Sequence, residues 1–193
     1  GFALYLPGAG SGSGIGSSER LTASAFSREP AINRSIHFAS GSMTAKLGQP
    51  SDHYTLAAWV WLGEPSGASQ RSGLIVSGPA GEKLVAHQNA EHRLRLELAA
   101  AEVGIELSQA SWPAEDWNFV VLVRDGMQVR VHVNGSPQPV LQSSVESTLP
   151  TDAEYTELRL ADELQGKLDE IALFPRALTD TEITQLWESS GMR

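Results

Sequence analysis

Residues 117–135, WNFVVLVRDGMQVRVHVNG, constrain the fold more than any other stretch of the chain. Residues 119–123 are an almost unbroken β-branched and aromatic run, Asp125-Gly126 supplies the positive φ of a tight turn, and Val129, Val131 and Val133 alternate with Gln128, Arg130 and His132. This is a β-hairpin, and Asn134-Gly135 offers a further turn at its end. A valine face needs a cover, because an isolated hairpin is marginal in water, so a second layer must exist.

The rest of the chain supplies it. Residues 54–62, YTLAAWVWL, place Tyr54, Leu56, Ala58, Val60 and Leu62 on one face and Thr55, Ala57, Trp59 and Trp61 on the other. Both faces are apolar, so either both are covered or the aromatic face meets a ligand. Trp59 suits core packing, and Trp61, close to the strand end, is the one placed at a ligand. Residues 93–98, RLRLEL, alternate strictly, with the leucines inward and Arg93, Arg95 and Glu97 outward. Short strands are also expected at 36–38, 43–47, 73–77, 83–87, 103–107, 157–161 and 166–174, with 112–116 breaking the pattern and 143–154 as loop. Thr179 three residues before Glu182 is a capping box, and Ile183, Leu186 and Trp187 share the face of the helix it starts. The expectation is an all-β, two-sheet antiparallel sandwich with one short C-terminal helix, a single domain over 1–193, and a flexible Gly/Ser-rich loop at about 7–18.

With 193 residues the chain can bury one sizeable core. It has no cysteine, which removes disulfides, thiolate metal sites and cysteine catalysis. The formal charge of -9, from 23 acidic and 14 basic residues with no basic block, argues against nucleic acid. An acidic surface serves solubility or attracts calcium. No apolar run reaches the length of a membrane helix, so no membrane insertion is expected. The chain opens at Gly1 without a start methionine or signal sequence and reads as a segment of a longer polypeptide.

Four segments, in this order, resemble the laminin-G-like branch of the concanavalin A-like lectin/glucanase superfamily. They are Ile36-His37-Phe38 with its turn, Tyr54-Thr55-Leu56-Ala57-Ala58-Trp59-Val60, Trp117 through Asn134-Gly135, and Gly166-Lys167-Leu168-Asp169-Glu170-Ile171 with Arg176-Ala177-Leu178-Thr179. The resemblance implies a jelly roll that binds at a concave face or rim. It implies a carbohydrate-binding, lectin-like module of a secreted, extracytoplasmic bacterial protein, with a glycan or a protein as partner. The turn after Phe38 reads Ala39-Ser40-Gly41 and lacks the family's aspartate. A calcium ligand is therefore carried over to Asp169 alone, whose other reading is a carboxylate holding nearby backbone N–H groups.

Glycoside hydrolases share the fold, so catalysis must be argued from carboxylates on either side of a scissile bond. Asp169 and Glu170 are adjacent in a strand and are expected on opposite faces, while Glu102 and Glu106 have no third group to tune them. No Gly-x-Ser-x-Gly elbow stands between a strand and a helix, and His37, His53, His87, His92 and His132 lack metal spacing. A noncatalytic binding module follows, with a structural or protein-docking module as the alternative. The candidate ligand surface groups Arg93, Arg95, Glu97, Arg130 and His132 on one sheet face, with Trp61 at its rim. Guanidinium forks and imidazole suit hydroxyl-rich or anionic ligands, and the same residues also suit a solvated face with cross-strand ion pairs.

Overall fold

The structure, a computed structural model, describes residues 4–6, 35–38, 41–47, 51–62, 71–79, 81–100, 104–145 and 156–190. The stretch expected as a loop at about 7–18 lies outside them. The strands are β1 (Leu4–Leu6), β2 (Ile36–Phe38), β3 (Met43–Leu47), β4 (His53–Trp61), β5 (Arg71–Ser77), β6 (Lys83–Gln88) and β7 (Arg93–Ala100). They continue as β8 (Gly104–Leu107), β9 (Trp112–Pro113), β10 (Asn118–Asp125), β11 (Gln128–Val133), β12 (Leu141–Ser144), β13 (Thr156–Leu160) and β14 (Gly166–Phe174). Helix α1 (Asp180–Ser189) follows.

Two antiparallel sheets form a jelly-roll sandwich. The back sheet runs β1-β14-β4-β10-β11-β12, with β2 also on β14; the front sheet runs β3-β13-β5-β6-β7-β8, with β9 on β7. The β10–β11 hairpin turns at Gly126, whose φ is +60°, as its Asp-Gly sequence requires. Two elements were not expected. Trp112–Pro113 pairs with Arg93 and Leu94, because a two-residue edge strand places its proline where no ladder donor is needed. Leu141–Ser144 extends the back sheet beyond β11 even though two of its four residues are serines, since Leu141 and Ser143 turn inward.

Between the sheets lies the main core. Leu56, Val60, Val120, Leu122, Val129, Val131 and Leu168 from the back sheet meet Ile75, Leu84, Leu94, Leu96, Leu98, Leu158 and Leu160 from the front. Each such side chain contributes roughly 1.5–3 kcal/mol by leaving water, and this burial accounts for the leucines at every second position of β7 and the valines at every second position of β11. The other face of the back sheet is also buried. Trp59 and Phe119, their ring centroids 5.2 Å apart, join Val121, Val123, Leu178 and Ile183 under α1. The apolar second face of β4 is therefore explained by the helix.

That helix is fixed at its start. Thr179 accepts from the Glu182 N–H at 3.3 Å while Glu182 accepts from the Thr179 N–H at 2.9 Å. Arg176 grips the same carboxylate at 2.6 and 3.0 Å and, with the cap, holds it down to about 2. Thr55 of β4 donates to the Arg176 carbonyl and accepts from the Leu178 N–H, both at 2.9 Å, tying the helix entry to the sheet. With the back sheet's outer face covered, the outer face of the front sheet is the one on which no described helix packs.

Candidate functional site

Antiparallel pairing builds a polar surface on that open face. Ser72 of β5, His87 of β6 and Arg95 of β7 lie directly opposite one another along one row, and Glu97 lies opposite Leu107 of β8 in the next. Ser72, His87, Gln88, Asn89, Arg95, Glu97 and Leu107 line a depression of about 360 Å³. His87 Nε2 and Glu97 Oε2 are 3.0 Å apart across the diagonal. The turn between β6 and β7 is rigid: Asn89 Oδ1 accepts from the N–H groups of Glu91 and Arg93 at 3.0 and 2.9 Å.

The two arginines have a second task. Arg95 donates from Nε and Nη2 to the Ser108 carbonyl at 3.0 and 2.5 Å, and Arg93 donates from Nη2 to the Ser111 carbonyl at 2.5 Å. Ser108 is buried; its hydroxyl accepts from the Leu96 N–H at 3.0 Å and donates to the Ala110 carbonyl at 2.9 Å. The segment after β8 is thus stapled to β7. Arg95 keeps further N–H groups of its fork for the depression, because only Nε and one Nη2 proton are engaged.

The expected single surface is divided. Arg93, Arg95 and Glu97 stand together on the front sheet, but Arg130 and His132 belong to β11 of the back sheet, where the polar face is the one α1 covers. Arg130 Nη1 lies 3.0 Å from Asp180 Oδ1, and His132 is wholly buried. His132 Nδ1 donates to the Ser136 carbonyl at 3.0 Å, and burial holds its pKa below the ordinary imidazole value. Trp61 sits at the rim of the back sheet, donating from Nε1 to the Glu115 carbonyl at 2.7 Å with Lys167 Nζ 4.4 Å above its ring. Ser72, His87, Gln88, Asn89 and Leu107 are the members of the depression that sequence reasoning missed. The outward parity of Lys83, Val85 and His87 in β6 was the available signal, and it becomes informative only once β6 is paired with β7.

Asp169 and Glu170 also depart from expectation. β14 carries one extra residue between Asp169, opposite Trp59, and Ala172, opposite Ala57, and Glu170 there has φ +45°. The bulge interrupts the regular alternation of β14 at this pair. Asp169 Oδ1 accepts from the Glu170 N–H at 2.8 Å. Burial first and the Asp169 charge second raise Glu170 to about 7, and burial raises Asp169. The pair lies between the segments of β14 that β2 and β1 flank, and it lines neither the depression nor the second groove described below. Among the described residues no group of three or more His, Asp or Glu gathers to hold a metal. No helix among them is long and apolar enough to cross a membrane.

A two-sheet jelly roll with a helix packed on one sheet is a concanavalin A-like architecture, which lectins and glucanases share. A family model described as the concanavalin A-like lectin/glucanases superfamily, Laminin_G_3, matches residues 36–184, and the chain belongs to that family. No curated protein sequence matches it. Among solved structures, the receptor binding domain of botulinum neurotoxin D is similar at 13% identity and a TM-score of 0.53, over 79% of this chain and 42% of that one. Trypanosoma rangeli sialidase in complex with 2,3-difluoro-KDN is similar at 19% identity and a TM-score of 0.58, over 82% of this chain and 27% of that one. The chain therefore spans less than half the length of either, and at these identities the likeness is one of fold.

Proposed function

We propose that this chain is a noncatalytic carbohydrate-binding module of an extracytoplasmic protein, and that the depression on the front sheet is its binding surface. The observation that carries this is the convergence of Arg95, Glu97, His87 and Asn89 around one concavity on the open sheet face. A sugar presents neighbouring hydroxyls that both donate and accept. The Glu97 carboxylate accepts, the Arg95 fork donates, and Leu107 offers an apolar surface to the C–H face of a ring. Because Arg95 is held by Ser108, its guanidinium is positioned before a ligand arrives, which lowers the ordering cost of binding. A receptor binding domain and a sialidase share the fold, which agrees with this reading at that level alone.

Catalysis is not part of the proposal, since the perturbed Asp169–Glu170 pair lies outside the depression. Calcium at Asp169, one of whose oxygens accepts from the Glu170 N–H, is a separate question, because Asp169 lies outside the depression. A second reading, docking of a protein partner, draws on Ile105 and Leu107, which are 70% and 43% exposed on the edge strand β8. Isothermal titration against neutral and acidic oligosaccharides tests the first reading. Binding that Arg95→Ala and Glu97→Gln each weaken by about tenfold or more supports it. Binding that neither variant changes places the ligand elsewhere. Repeating the titration with calcium and with EDTA tests the ion separately.

A further inference from the structure

The front sheet ends at β8 and the back sheet at β12, and these edges lie on the same side of the sandwich. Between them runs a groove of about 680 Å³ whose walls include Glu106 and Leu107 of β8, Gln109 beyond it, and Gln138, Val140 and Gln142 on the approach to and along β12. Leu107 lines both this groove and the depression on the sheet face. The two concavities thus meet over one residue, which is 43% exposed.

We infer that the ligand is a linear, largely uncharged oligosaccharide that occupies the depression, crosses the Leu107 ridge and continues into the groove between the sheet edges. This rests on the carbohydrate reading above and specifies its ligand. Three features of the groove argue for it. Gln109, Gln138 and Gln142 each carry both a donor and an acceptor on one planar group, which matches adjacent hydroxyls. Among the described residues Glu106 is the one formal charge on its wall, so the groove repels a polyanion. Each concavity alone has a volume that suits a small ligand, and joined they suit a chain of several sugar residues.

The ridge between the two concavities is built to persist. Leu107 is followed directly by Ser108, whose backbone carbonyl takes two N–H groups of Arg95 and whose hydroxyl spans Leu96 and Ala110. A chain lying over this ridge meets a surface that is already ordered. Arg95 accordingly has two parts, one N–H set toward the depression and one that fixes the crossing point.

The test is titration calorimetry of the whole chain with gluco-, xylo- and manno-oligosaccharides from disaccharide to hexasaccharide, with a heparin hexasaccharide as the polyanion. For at least one neutral series, affinity is expected to rise by about tenfold or more with length. Gln109→Ala with Gln142→Ala is expected to bring the hexasaccharide back to the disaccharide's affinity and to leave the disaccharide unchanged. Both side chains are exposed, and an unchanged melting temperature confirms that the variant folds. A disaccharide that binds through Arg95 while the hexasaccharide binds no tighter overturns the crossing and leaves the carbohydrate reading intact. Preference for the heparin hexasaccharide also overturns it. If no oligosaccharide binds at any length, the carbohydrate reading itself fails.

Discussion

The guanidinium of Arg130 reaches 3.0 Å across to the carboxylate of Asp180 in the first turn of α1, joining the last hairpin strand of the core to the helix that covers it. His132 lies beside the same carboxylate, its Nε2 3.6 Å from Asp180 Oδ1 and its Nδ1–H given to Ser136.

This arrangement makes stability depend on pH with a definite sign. Burial, the largest influence on His132, lowers its pKa from 6.5, outweighing the Ser136 carbonyl and the Asp180 charge, which favour the cation. The unfolded imidazole therefore takes up a proton that the folded one resists, and stability falls as pH drops below about 6.5. His132→Asn, which keeps a donor for Ser136 and removes the titration, is expected to flatten the fall in melting temperature from neutral to mildly acidic pH. An undiminished fall in that variant assigns the effect to another group.

Glu170 has the opposite sign. Its folded value near 7 lies above the ordinary 4.5, so the stability that its protonated form contributes is lost as pH rises between those values. Glu170→Gln is expected to raise unfolding free energy in mildly alkaline buffer by up to about 3 kcal/mol and to change it little near pH 4.5. Urea denaturation at the two pH values checks the difference, and equal gains at both would point to backbone relief at the bulge instead.

At the opposite side of the core, Tyr54 donates its hydroxyl to the Glu82 carboxylate, and Arg124 Nη1 lies 3.8 Å from the same oxygen. All three side chains are buried, and they link β4 and β10 to the β5–β6 turn. Burial, followed by the Glu82 charge, pushes the Tyr54 pKa well up, so the hydroxyl is a donor at neutral pH. Tyr54→Phe is expected to cost about 1–3 kcal/mol, and Glu82→Ala about 3–5 kcal/mol because it removes a buried carboxylate that the Tyr54 hydroxyl and the Arg124 guanidinium share. Chemical denaturation measures both, and the order of the two values is the sharper check.

Gly135 is a fourth test. Its φ is +71°, and a Cβ there would stand 2.7 Å from the Trp187 ring. Gly135→Ala is expected to destabilise by about 1–3 kcal/mol through backbone strain and displacement of the indole. Near-ultraviolet circular dichroism reads the indole's change of surroundings, and unfolding curves read the cost.

Much of this fold is legible in the strands themselves. The β10–β11 turn, the two apolar faces of β4 and the Thr179–Glu182 cap follow from local period and turn chemistry, which act over a few residues. What local pattern does not carry is which sheet a strand joins. Arg95 and Arg130 stand at equivalent outward positions in their strands, yet one faces solvent and the other a helix, because β7 and β11 belong to different sheets. The bulge at Glu170 was hidden for a related reason: an extra residue in one strand shows itself only against its partner. The front-sheet trio Arg93, Arg95 and Glu97 was readable because a single alternating strand contains it.

The position of β14 bears on how the molecule assembles in time. It is drawn from residues 166–174, yet it stands beside β4, from residues 53–61, and carries β1 and β2 on its other side. As the polypeptide emerges from the ribosome, β4 and β10 can pair early, but one edge of β4 stays unsatisfied and the indole of Trp59 stays wet until more than a hundred further residues have been made. Contacts so distant along the chain make folding slow, and the waiting intermediate exposes the kind of edge and apolar face that aggregates. Recovery of native protein is thus expected to hinge on the interval before β14 and α1 arrive, so a holding chaperone would raise yield without altering the stability of the finished fold.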